Sequence, residues 1–357
     1  MVWSVAAGLQ AFHAVIHAGL RAEDEHRREN FILSQLAQQR KPVELGQHDV
    51  EHRSVVGDRL RERETVFTIG RKVRDEAILF QPVDHKRGDF AVIFNYEHAH
   101  IRQLATTHVI AGPSIGRAMA LHGADALNVW RPSDVEHTLW HYTSHVGMRS
   151  AMLELNNKEG HAKFLELLSK ADVFVSNRRK GWRERFHITP EETIKQRPGL
   201  IDVQMTWGGE TGPWSNRVGF DITSSLAWGL DNIEGSDEKP AHPSIYVTCD
   251  YVAGWLATCG ILSALLRRAK EGGSYRVVVS LSRTTLWLPE LGIFDRNYAT
   301  KTAGSNDEHL YPNPDGFVVD TPMGRYTGVT EMIEMSKTPG EYKYPLTPLG
   351  SWQPSWL

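Results

Sequence analysis

Asp250 is the residue whose type and place most invite chemistry. It stands at the start of residues 251–266, a run that is almost wholly apolar or small and reads as a helix buried on all sides. A carboxylate at a helix mouth faces unpaired N–H groups, so Asp250 fits an N-cap. It also fits an acid held ionised at neutral pH, available as a nucleophile toward an activated acyl group. Arginines form the second set. Arg131 follows the apolar segment 126–130, and Arg178 and Arg179 follow the segment 171–175. Arg131 thus lies at the carboxyl end of a strand, where ligands of open α/β sheets bind, although a solvated surface arginine fits the same place. His13 with His17, and His137 with His141, lie four apart as metal ligands on a helix can. Neither pair has an H-E-x-x-H form or an evident third ligand, so surface or capping histidines are the expected reading.

The elements around these residues alternate. Residues 101–113 pass from an apolar segment into Gly112-Pro113, a helix is expected over 114–122 with Gly123 as its stop, and a strand over 126–130. A strand at 151–155, a helix at 159–170 and a strand at 171–175 continue the pattern. Thr189-Pro190-Glu191-Glu192 combines Pro at the first helical position with a capping-box Glu, and a strand at 200–205 follows. Such alternation predicts an α/β fold with a doubly wound parallel sheet, which residues 275–280 join as a later strand. In such sheets ligands sit beyond the carboxyl ends of the strands. Asp89–Phe94 also reads as apolar, but the rest of residues 1–97 is charged and is left unassigned. Residues 98–295 form the α/β domain, and 296–357, rich in Pro, form an extended wrapping segment.

Composition narrows the partners. The 357 residues are 41% hydrophobic and 23% charged, with a formal net charge of −3. No general field for nucleic acid or an anionic membrane exists, so an anionic ligand has to be held by local arginines. The two cysteines, Cys249 and Cys259, give neither a disulfide framework nor a zinc pattern. A reducing, cytoplasmic setting is the default, with a mitochondrial or peroxisomal one left open. The first residues carry no basic region ahead of their apolar run, so a cleaved signal is not expected.

Six motifs in order carry a family resemblance: His108-Val109-Ile110-Ala111-Gly112-Pro113, Leu121-His122-Gly123-Ala124-Asp125, residues 171–177 ending in Ser176-Asn177, Gly208-Gly209-Glu210-Thr211-Gly212-Pro213, Gly219-Phe220-Asp221, and Asp250 before its apolar helix. Together they resemble the family III CoA-transferases, whose fold is shared with α-methylacyl-CoA racemase. The resemblance implies a Rossmann-like large domain and transfer of CoA from an acyl-CoA to a carboxylic acid. Asp250 would be the nucleophile, forming an acyl-aspartyl anhydride and then an enzyme-CoA thioester. It implies coenzyme A, carried in as acyl-CoA substrate, with no metal, and a homodimer. It also implies CoA contacts at Ile110, Ala111, Arg131, Leu153, Asn156, Asn177, Arg178 and Arg185, with Gly219, Phe220 and Asp221 over the thioester end.

Departures matter as well. Racemases of this fold resemble Gly-His-Asp at Gly219-Phe220-Asp221, and Phe220 cannot carry a proton, so transfer is favoured over racemisation or epimerisation. A Lys common at Asn156 is absent. No Gly-rich loop or small domain is recognisable after residue 295, so the small domain is expected to be reduced or missing. That leaves a non-catalytic CoA-binding subunit as a rival.

Overall fold

The computed structural model describes residues 101–243, 245, 247–306, 316–329, 335–336 and 339–357, with the backbone of two strands at 66–69 and 79–82. His13, His17, the apolar segment 89–94 and the chain start lie outside the described residues. Two compact units are present, residues 4–100 and residues 101–357 with the first three residues. In the first unit β1 (Val66–Ile69) and β2 (Leu79–Pro82) pair antiparallel.

The second unit is built on a six-stranded parallel sheet. Its strands are β3 (Arg102–Thr106), β4 (Asp125–Trp130), β5 (Arg149–Met152), β6 (Val173–Ser176), β7 (Ile201–Thr206) and β8 (Tyr275–Ser280), in the order β5-β4-β3-β6-β7-β8. Order reverses between β3 and β6, the switch point of a doubly wound sheet, as expected from the alternation. Strands β4 and β6 are buried along their whole length, which is why they read as apolar runs. The outer strand β8, at the end of the sheet among the described residues, alternates half-buried and exposed residues from Tyr275 to Val279.

Two cores flank the sheet. On one face α1 (Ala111–Leu121) and α8 (Thr248–Glu271) pack Ile115, Met119, Ala253, Ala257 and Ile261 onto Val175 and Val203. On the other α3 (Lys158–Ser169) places Phe164, Leu167 and Leu168 against Leu104, Leu127 and Phe174. Remaining helices are α2 (Thr138–Ser144), α4 (Trp182–Arg185), α5 (Pro190–Gln196), α6 (Asp221–Ala227), α7 (Leu230–Glu234), α9 (Leu281–Glu290) and α10 (Arg296–Thr302). Helix α5 has the expected capping box: Thr189 Oγ1 accepts the Glu192 N–H, and Glu192 Oε2 accepts the Thr189 N–H. By length and composition α8 could cross a membrane, with a mean hydropathy of 1.5, but half of that stretch is buried within the protein. One face packs in the core as its sequence suggested, but the helix is not buried on all sides: Trp255 is exposed and its neighbours Tyr251, Val252 and Cys259 are half-buried.

The clearest differences from expectation are two element starts and one hairpin. Helix α1 begins at Ala111 rather than Ser114, taking Gly112-Pro113 into its first turn, where the missing proline N–H costs no hydrogen bond. Strand β5 starts two residues early because its Arg149 is buried and paired, Nε and Nη2 each 2.8 Å from Asp125 carboxylate oxygens. Residues 339–357 do wrap the β5 edge: the Trp352 N–H donates to Ser150 O at 2.8 Å, and Arg149 Nη1 donates to Ser355 O. Ahead of them, however, β9 (Gly316–Thr321) and β10 (Gly324–Val329) form an antiparallel hairpin that the Pro-rich composition concealed.

Candidate active site

The loop after β3 is the floor of the site. Val109 stands in the left-handed region at φ 68°, a strained place for a β-branched residue, and is held there by its neighbours. Its N–H donates to Glu136 Oε2 at 2.7 Å and its carbonyl accepts Ser144 Oγ at 2.8 Å. Two asparagines pair with the loop as a strand would. Asn128 exchanges hydrogen bonds with the Thr107 backbone, and Asn177 accepts the His108 N–H and donates Nδ2 to its carbonyl. Gly112 permits this, since a Cβ there would meet Asn177 at 2.7 Å and Thr107 at 2.8 Å. Ile110 and Ala111 follow at the start of α1, both buried.

Arg131 and Arg178, from the ends of β4 and β6, converge on one carboxylate. Arg131 Nη2 lies 2.7 Å from Asp134 Oδ1, and Arg178 Nη2 lies 2.6 Å from Asp134 Oδ2. Burial alone would raise Asp134, but hydrogen bonds from Arg131 and Arg178 outweigh it and hold the acid at about 2. Arg178 is sunk among Thr106 O, Asp134 and the Trp182 ring, whereas the Arg131 side chain keeps 21% exposure. His108 beside them is pushed down to about 4, first by burial and then by Arg178, so it is neutral at neutral pH. His145 Nε2 meets Glu136 Oε2 at 3.2 Å behind the loop.

The other predicted contacts scatter. Arg185 is exposed and donates to Asn156 Oδ1 at 2.7 Å, and Asn156 is held in turn by Glu154. Leu153 is buried in the core of the α3 face, its N–H on Trp130 O. His137 caps α2 by accepting the Leu139 N–H, and His141 Nε2 bonds Thr347 O, so neither stands as a metal ligand in this arrangement.

At the corner of α6 and α8 two acids meet. Helix α8 begins at Thr248 after Val247, left-handed at φ 57°, and has no side-chain cap of its own. Asp250 is therefore inside the first turn and not the N-cap expected of it. The cap comes from α6: Asp221 Oδ2 accepts the Asp250 N–H at 3.0 Å, and the same carboxylate faces the Cys249 N–H. The helix-mouth donors expected to hold an oxyanion are thus occupied. Asp250 itself is 4% exposed, and burial, with the Asp221 charge second, pushes its carboxyl up to about 8. The low pKa expected of a capping acid gives way because, among the described residues, no cation or side-chain donor offsets desolvation. Burial likewise raises Asp221, and lifts Cys249 to about 12. Phe220 is 59% exposed ahead of α6, and Gly219 lies flat against the Trp207 ring.

One close approach joins the corner to the floor. A turn after Asp250, Gly254 faces α1, where a Cβ would fall 1.9 Å from Ser114 Oγ and 3.4 Å from Ala111 O. This glycine brings the acid's helix against the first turn of α1. Asp134, Glu136 and Asn128 were missed in the sequence. Asn128 inside an apolar strand was the available signal, and Asp134 three residues after Arg131-Pro132 was a weaker one.

Residues 99–315 match CoA-transferase family III. The chain belongs to that family. It is 30% identical over 220 residues to the acetyl-coenzyme A transferase nodX of Hypoxylon pulicicidum, covering 60% of this chain and 35% of that protein. With the formyl-CoA:oxalate CoA-transferase of Escherichia coli it shares 27% over 225 residues, 60% of this chain and 54% of the relative. A crystal structure of a CaiB/BaiF family protein from Brucella suis superposes with a TM-score of 0.50 at 22% identity, over 63% of this chain and 64% of that one. That likeness is one of fold. The chain spans about a third to a half of the length of these curated relatives.

Proposed function

We propose that this chain carries the acyl-transfer centre of a CoA-transferase, with Asp250 as nucleophile and an acyl-CoA held along the strand ends. The observation that carries the reading is the buried Asp250 carboxyl beside Asp221, joined through Gly254 and α1 to the β3 loop at the switch point. A desolvated carboxylate with no counter-ion is a stronger nucleophile than a solvated one, once it has lost its proton.

An Asp250 carboxylate oxygen attacks the thioester carbonyl, the C–S bond breaks, and CoA leaves as thiolate with an acyl-aspartyl anhydride behind it. The thiolate attacks the aspartyl carbonyl, releasing the donor as its carboxylate and leaving CoA on Asp250. An acceptor carboxylate attacks that thioester, and the freed thiolate takes the acceptor acyl group. Arg131, partly open to solvent, is the guanidinium able to meet a nucleotide phosphate. Arg178 fixes Asp134, and through it the Arg131 fork. Ile110 and Ala111 offer backbone and apolar surface to the nucleotide, and Phe220 offers its exposed ring. A homodimer in a reducing compartment belongs to the same reading.

Incubation with an acyl-CoA followed by hydroxylamine tests it. A hydroxamate at Asp250, absent from Asp250→Ala, is the expected result. CoA binding without any adduct would overturn the transferase reading in favour of a binding subunit.

A further inference from the structure

The loop between β3 and α1 carries a strain that the proposed transfer does not account for. Val109 is left-handed at φ 68°, where its Cβ crowds the following peptide group. For an ordinary residue that region is disfavoured by a factor of about ten, and a β-branched one is rarer there still. Such a conformation persists only where the surrounding contacts impose it, and places of this kind cluster at ligand clamps.

Four side chains impose it. Asn128 holds the Thr107 backbone and Asn177 that of His108, which fixes the approach to Val109. Glu136 then takes the Val109 N–H on Oε2 at 2.7 Å, while Ser144 Oγ donates to the Val109 carbonyl at 2.8 Å. Glu136 is itself fixed: Oε1 accepts the His137 N–H at 2.9 Å, and Oε2 faces His145 Nε2 at 3.2 Å with both side chains buried. Burial alone would raise Glu136, but hydrogen bonds from His145 and Val109 outweigh it and hold the carboxyl below its ordinary value. At neutral pH it is therefore a charged acceptor, stronger than a neutral one.

The consequence is directional. A trans peptide points its C=O and N–H to opposite sides, so turning the Val109 carbonyl to Ser144 sends the Ile110 N–H the other way. Among the described residues that N–H has no hydrogen-bond partner. Ile110 and Ala111 are the residues set against the nucleotide in the proposed function, and one backbone angle at Val109 decides where they lie. We propose that Glu136 is a positioning residue for CoA: by holding Val109 left-handed it aims the Val109–Ile110 peptide, and the start of α1 with it, at a ligand beyond the strand ends. This rests on the reading that acyl-CoA lies along those strand ends, and assigns to that same site a residue that acts through another.

Calorimetric titration of the full chain with CoA tests it, each variant being kept well below its Tm so that Kd reports the folded loop and not the stability of the fold. Once the hold is released the competent loop becomes a minority, and the apparent Kd rises by the inverse of its fraction. Glu136→Ala should therefore weaken CoA binding about tenfold. Adding Val109→Gly should return affinity to within about threefold of the parent, because glycine takes positive φ without steric cost. Adding Val109→Ala instead, which keeps a Cβ, should return nothing. If Glu136→Ala does not fold, Glu136→Asp carries the same comparison, since it keeps the charge but is one methylene too short to hold the Val109 N–H. Parent affinity in the Glu136 variant, equal effects of Val109→Gly and Val109→Ala, or no CoA binding by the parent would each overturn the proposal. The glycine-specific return of binding without any hydroxamate at Asp250 would sink the transfer chemistry and leave Glu136 its role. A hydroxamate at Asp250 with CoA affinity indifferent to Glu136 would do the reverse.

Discussion

The two ends of the site treat charge in opposite ways. At the β3–β6 switch point each ionic group has a partner: Asp134 holds two guanidinium groups, Glu136 holds His145, and two asparagines satisfy the loop backbone. At the α6–α8 corner two buried carboxyls stand together with no cation beside them among the described residues, the Asp250 N–H donating to Asp221. A fully paired cluster is rigid and keeps its ionisation fixed, which is what a binding surface requires. Two unpaired acids instead have their pKa values displaced, which is what acid–base or nucleophilic work requires. Under the proposed function, this difference would place binding at one end and reaction at the other.

The sharpest way to break this assignment is to remove the reactive acid. Asp250→Asn should lower acyl-CoA turnover by at least about a thousandfold, because the covalent route is lost altogether. The same variant should be more stable than the parent at pH 8. The native carboxyl titrates at about 8 against an ordinary 3.8, so the unfolded chain ionises first and the parent loses stability as pH rises between those values. Thermal melts at pH 5 and pH 8 check the sign: the gain from Asp250→Asn should be small at pH 5 and amount to several degrees at pH 8.

Cutting the paired end should cost stability rather than chemistry. Asp134→Ala strands the buried Arg178 and frees Arg131, a loss of about 3–5 kcal/mol for a broken buried pair. Calorimetry should show a fall in Tm of about 2–4 °C for each kcal/mol lost. An unchanged Tm would mean that the cluster is not the rigid element argued here.

A smaller effect tests the coupling of the two acids. In the parent, kcat/KM should rise with pH through about 8 as Asp250 loses its proton, since that ratio reports the free enzyme. Asp221→Asn removes the second cause of the displacement and keeps an oxygen over the helix mouth, so the midpoint should move to lower pH. A midpoint that does not move would leave burial as the entire cause.

How much of this was legible in the sequence follows the same division. The sheet, its switch point and the buried helix were readable because parallel strands and core helices are written in apolar runs. Asp250 was singled out for its place before such a run, and Arg131 for its place after one. The sequence could not show that Asp250 lies inside the helix rather than capping it, because the cap is Asp221, 29 residues earlier and on another helix. The direction of its pKa depended on that contact. Arg178 was expected, with Asn177, to line the cofactor, and its guanidinium is bound to Asp134, 44 residues away. Short-range patterning carries the elements, and long-range pairing decides what the charges in them do.

The smallest predicted effect separates the two remaining guanidinium groups. The family resemblance implies CoA contacts for both Arg131 and Arg185, only Arg131 lying at a strand end, and their settings differ. Arg131 is fixed from one side by Asp134 and presents the rest of its fork at the end of β4, so its five donors are only partly used. Arg185 is exposed and rests on Asn156 and the Phe186 ring, where ordering a flexible side chain offsets most of what an ion pair gains. Arg131→Gln should therefore weaken CoA binding about tenfold, and Arg185→Gln by no more than about twofold, measured by calorimetric titration at fixed salt. If the two losses came out equal, or in the opposite order, the nucleotide would lie along α4 rather than over the switch point. The paired cluster around Asp134 would then be scaffolding and not the binding end.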